Sequence, residues 1–213
     1  MSTRQLEGYG AGIVREMALA SRVQRGLERL YHLDRVADVD AFMHPADRGD
    51  REELLLREDE DGALAIALRV PRLAGTDGEA GTKPLDVICQ IIEGVSHFVY
   101  VTDRAAMQKR TTQLELELQA EVDKYVVLAA SVPGFDKGKS EELRGQLYDN
   151  VQYAHDENSE RGERYRVANE AAARFVRRLE PDFLERGRIG ALRSRLRSFF
   201  HEGLEAKLRM ART

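Results

Sequence analysis

The chain has 213 residues, 42% of them hydrophobic, which suffices for one well-formed core and a single domain over 1–213. Acids number 37 and bases 33, a formal charge of −4, so the chain as a whole is not a generic polyanion binder. One cysteine, Cys89, excludes an intrachain disulfide framework and a thiolate zinc site.

Of the 33 bases, 27 are Arg, a bias common in GC-rich bacterial genomes. No apolar run approaches the roughly 18–20 residues of a membrane helix. The first residues carry no signal-peptide core, so a soluble, cytoplasmic, bacterial protein is expected.

In chain order, Ile13, Met17, Ala20, Val23, Leu27 and Leu30 recur at three and four, predicting an amphipathic helix over 5–33. Residues 34–50 break the period, with a turn at His44-Pro45. Leu64, Ile66, Leu68 and Val70 then alternate with smaller residues, and Asp61-Gly62 supplies turn chemistry. That predicts a β-hairpin over 52–71, which must pack on helices to be stable. Residues 72–84, with Gly75, Gly78 and Gly81, read as a mobile loop.

Two apolar-striped segments joined by Gln108 to Thr111 predict a helical hairpin over 85–131. Lys137 to Ser140 reads as a second flexible loop, with Ser140 capping the next helix. Further helices are expected over 140–210, with a break near 158–162, a stop at Pro181 and one last helix over 188–210. The fold class is therefore mainly α: a bundle of five to seven helices with one small β-hairpin.

The densest set of chemistry-bearing residues lies on the helical hairpin. Glu93 and His97 are four apart and share a helix face. That face is either a solvated Glu–His pair or, because the helix is apolar nearly all round, buried and in need of partners. On the second arm Glu121 falls inside the apolar stripe, with Glu117 and Lys124 at its borders. An intrahelical salt bridge to Lys124 is one explanation. The other is a divalent-metal site of Glu93, His97, Glu117 and Glu121, with His155 from a third helix, or a metal-free acid–base set of Glu93, His97 and Glu121. Glu-x-x-x-His differs from the Glu-x-x-His of ferritin-like sites, and no His-Glu-x-x-His motif is present.

Arg164, Tyr165 and Asn169 form a candidate anion-binding set. Cys89 sits on an apolar side and reads as core. Arg195 and His201 have the spacing of an Arg–His element found in some helical ribonucleases. With 27 Arg in 213 residues, chance supplies such pairs, and it carries no assignment.

Charge is unevenly placed. Residues 40–62 hold nine acids and three bases, and residues 186–213 hold eight bases and two acids. The basic end, with Arg193, Arg195, Arg197, Phe199 and Phe200, is a candidate partner-binding surface. One of the two phenylalanines is expected in the core and the other as a docking ridge. The leading functional expectation is a helical interaction or regulatory protein that joins a complex or self-associates. A metal-dependent or acid–base hydrolase-type enzyme on the Glu/His cluster comes next, with a divalent metal as its cofactor. Nucleic-acid binding by the basic end comes third, and no membrane partner is expected.

Overall fold

A computed structural model describes residues 13–47, 51–58, 64–73, 84–149, 151, 156, 158–181 and 186–212. It is 71% helical, with seven helices and a small three-stranded sheet among the described residues, as the periodicities predict. The first helix, α1 (Val14–Tyr31), buries Ala20, Val23, Leu27 and Tyr31 along one stripe and ends with His32 in the left-handed conformation. Residues 1–12, part of the helix expected from residue 5, lie outside the described residues.

The sheet holds β1 (Met43–Pro45), β2 (Glu53–Glu58) and β3 (Leu64–Val70) in the order β1-β3-β2. β2 and β3 form the expected antiparallel hairpin, with Leu54 opposite Leu68. β1 was expected to be irregular; instead it pairs parallel to β3, Met43 opposite Leu68. A three-residue strand carries too short an alternation to be seen in sequence. Most of the loop expected over 72–84 lies outside the described residues.

The helical hairpin forms as α2 (Pro84–Ala106) and α3 (Gln113–Ser131), with the Thr112 side chain capping α3 through the Glu115 amide. In α2 every residue from Gln90 to Arg104 is buried, so the solvated-face expectation for Glu93 and His97 is overturned. α1, α3 and the sheet all pack on α2 and leave it no wet side. Its length and mean hydropathy of 1.2 would suit a membrane crossing, contrary to the expectation that no such run exists. However, 78% of that stretch is buried inside the protein, as in the core helix of a bundle.

The C-terminal half corrects two boundaries. Lys137 to Ser140 is the first turn of α4 (Lys137–Arg144), because Asp136 and not Ser140 caps it, accepting from the Lys139 amide. Ser140 is buried and bonds Glu180 and Tyr125. After a wide helical turn over Gly145–Asp149 comes α5 (Glu160–Leu179), capped by Ser159. The single last helix is two, α6 (Ile189–His201) and α7 (Leu204–Arg212). Arg104 of α2 donates to the carbonyls of Phe200 and Glu202 and so stops α6 where the sequence period would carry on.

Candidate metal centre

α2, α3 and the lead-in to β2 place six ionisable side chains in one buried cluster. Glu93 and His97 descend from one face of α2, and Glu117, Glu121 and Lys124 come from α3. Ligand atoms of Glu93, His97 and Glu117 all lie within 4.8 Å of one another. His97 Nε2 stands 3.7 Å from a Glu117 carboxylate oxygen, too far for a hydrogen bond, and has no other hydrogen-bond partner. Lys124 donates to Glu93 at 3.1 Å and to Glu121 at 2.7 Å. The expected intrahelical bridge thus holds for Glu121 alone, while Glu117 turns to His97.

The sixth member is Glu52, which the sequence reading missed. Its amide donates to the Gln90 side chain at 3.1 Å, which ties the strand to α2 one turn before Glu93. Gly94 makes the approach possible. A Cβ there would stand 2.7 Å from Leu68 Cδ1 and 3.3 Å from a Glu52 carboxylate oxygen. The sequence signal was faint. Glu52 shares the period-two face of half-buried Leu54, while Glu53 and Leu55 point outward, all within one acidic run.

The electrostatics follow from four carboxylates facing one lysine. Burial works to raise Glu93, but Lys124 outweighs it and holds Glu93 at about 2. Burial, reinforced by Glu93, pushes Glu117 up to about 8. Burial and the facing Glu93 and Glu117 carboxylates drive Glu52 well above the usual carboxylate range. Glu121 is raised by burial against the pull of Lys124, and one of its oxygens has no hydrogen-bond partner. Burial lowers His97, which is therefore a neutral imidazole with a lone pair to offer.

These properties fit a divalent cation. Metal–ligand bonds of about 2.0–2.2 Å place neighbouring ligand atoms roughly 3–4 Å apart, the spacing found between His97 and Glu117. One nitrogen and several carboxylate oxygens suit manganese, iron or zinc. Cys89 is no ligand candidate, since burial pushes its thiol up to about 11.

α5 closes another side. Arg164 is close enough to Glu117 to pull its carboxyl down against burial, and the Arg164 Nε is buried without a hydrogen-bond partner. The Tyr165 phenol faces Glu93, Glu117 and Glu52, which, after burial, raise it. Asn169 does not join them. It donates to the Leu147 carbonyl at 3.3 Å, so its place in the expected anion set is corrected to a structural bond. His155 lies outside the described residues.

The basic C-terminal stretch is not a continuous docking face. Phe199 and Phe200 are both buried, the first stacked on Phe175 at 4.1 Å and the second on Tyr31 at 4.2 Å. The expected docking ridge is therefore core. Arg197 donates to the Leu30 carbonyl, Arg195 is half-buried and Arg193 is exposed. Lys207 is fully buried, with its ammonium 4.6 Å from the Tyr100 ring centre and 4.8 Å from that of Phe199.

No family model matches this chain, and no curated protein or solved structure matches it either.

Proposed function

We propose that the chain is a metal-dependent enzyme of hydrolytic type, with a divalent cation held by Glu93, His97 and Glu117. The observation that carries this reading is the buried His97 Nε2, unbonded and facing carboxylate oxygens across a gap of one ion's width. A bound cation supplies Lewis acidity toward a water or substrate oxygen. Lys124 fixes one oxygen of Glu121, and its other oxygen is bare. In this reading Glu121 is the base that takes a proton from the attacking water and returns it to the leaving group.

Calorimetric titration of metal-stripped protein with manganese or zinc tests this. One ion per chain is expected, and His97→Ala and Glu117→Gln should each weaken binding more than about 100-fold, beyond the usual effect of losing an outer partner. Unaltered affinity in both variants, or no binding by the parent, removes the proposal.

A second reading, self-association, is favoured by a groove of about 890 Å³ between α1, α3 and α6. Leu19, Ile92 and Leu196 line it, and Arg22, Arg29 and Arg193 rim it. The complementary surface is the acidic β2 region of a second copy, where Leu55 and Leu56 are exposed. Sedimentation should then show an oligomer that Arg193→Glu or high salt dissociates. A monomer at all concentrations and salts would exclude it.

A further inference from the structure

We infer that the Lys124 ammonium stands where the second ion of a two-cation centre would stand, so that replacing it by a small side chain makes the site dinuclear. This inference rests on the proposed metal centre and assigns how many divalent cations it takes and what sets that number.

The pairing of α2 with α3 comes first. The two arms of the hairpin repeat one contact a helical turn apart. At one level His97 faces Glu117 at 3.7 Å. Four residues earlier on α2 and four later on α3 stand Glu93 and Glu121. These two meet through Lys124, whose ammonium lies 3.1 Å from Glu93 and 2.7 Å from Glu121. Glu93 serves both levels. It belongs with His97 and Glu117 to the set of ligand atoms within 4.8 Å of one another, and its Oε2 accepts from Lys124. Two-metal centres hold their ions about 3.5–4 Å apart, a separation that one carboxylate spans with its two oxygens. Here a side chain of the protein fills one of the two positions.

The second level has the make-up of an ion site. Glu93, Glu121 and Lys124 are each more than nine-tenths buried. The ammonium takes Glu121 Oε1, while Glu121 Oε2 is buried without a hydrogen-bond partner. Without the ammonium, Glu121 offers both its oxygens and Glu93 adds another, a donor set that suits a hard divalent cation. Two buried carboxylates left without a counter-charge are costly, and such a cation relieves that cost. With the ammonium in place, a second divalent ion meets a fixed positive charge that solvent does not screen.

Helix geometry keeps the ammonium there. Long side chains on a helix lean toward its N-terminus. The Lys124 stem therefore lies back over the turn of α3 that carries Glu121, three residues before it. The ammonium is pinned between two helices and has no other level to reach.

Manganese titration of metal-stripped protein, followed by calorimetry and spin resonance, tests this. The parent should take one ion per chain and give the spectrum of an isolated manganese. Lys124→Ser should take two ions and show the exchange coupling of a close pair. Its second ion should bind at least about 100-fold more tightly than any second ion binds the parent. Lys124→Arg keeps the charge and should take one. In the Lys124→Ser background, Glu121→Gln should remove the second ion and leave the first, whereas His97→Ala should weaken the first alone. Should Lys124→Ser fail to fold without metal, folding is the readout. Manganese should then restore it with two ions per folded chain, and failure to restore it overturns the assignment. Two ions in the parent, or one isolated ion in Lys124→Ser, also overturns it and leaves the metal centre standing. A parent that binds no manganese overturns both.

Discussion

Glu117 keeps its proton in the folded chain up to about 8, whereas an unfolded chain releases it near 4.5. Its contribution to stability is therefore fully present below about 4.5 and lost as pH rises through about 8. Metal-stripped protein should melt at progressively lower temperature across that window, and Glu117→Gln should flatten the profile. A cation reverses the sense, because it needs the carboxylate. Manganese affinity should rise with pH up to about 8, and binding at pH 7 should release protons, measurable by calorimetry in buffers of different ionisation enthalpy. Lys124 is the opposite case, a buried cation whose removal strands Glu93 and Glu121. Lys124→Met should cost about 3–5 kcal/mol by denaturant titration at neutral pH, and less in acid as the carboxylates take protons.

At the scale of elements, the periodic segments were legible and the junctions were not. Helical spacing placed α2 and α3 within a residue or two, because their apolar stripes run for several turns. The same spacing ran straight through Glu202 and Gly203, where a distant arginine, Arg104, collects the α6 carbonyls. It also set Ser140 as a cap, when Asp136 four residues earlier does that work. The cluster divided the same way. Glu93, His97, Glu117 and Glu121 could be paired from helix geometry, whereas Glu52 arrives through a strand whose docking depends on Gly94. A glycine also governs α5. Gly162→Ala would force a Cβ against the Asp156 carbonyl, which is backbone and cannot swing aside. The expected result is a loss of about 1–3 kcal/mol and faster amide exchange in the first turn of α5.

Across the whole molecule, buried polar groups tie helices that hydrophobic contact alone would leave free to slide. Asp123 accepts from Tyr31 of α1, Ser96 of α2 and Gln119 of its own helix, and burial raises it to about 6. Lys207 extends the chain to α7 by donating to Gln119. Burial lowers Lys207 to about 7, against the pull of Asp123 and Glu115, with Arg104 adding to the fall and Glu202 opposing it. Its contribution is therefore fully present only above 10.5 and is lost as pH falls through about 7. Hydrogen exchange corrected for intrinsic rate should show α7 better protected at pH 9 than at pH 6, and Lys207→Met should erase the difference. Equal protection at both pH values in the parent would contradict this account.

The close seat of the hairpin on Gly94 has a mechanical consequence. Gln90 holds the Glu52 amide, and one Glu52 carboxylate oxygen lies in the notch left by Gly94, buried and without a hydrogen-bond partner. A shift of the Glu52 backbone moves β2, and β2 moves β3 through the ladder that pairs Glu53 with Arg69. The sheet is thus a lever with its pivot at α2, where the Gln90 side chain holds it. A change of charge inside the bundle acts on a carboxylate one residue from that ladder.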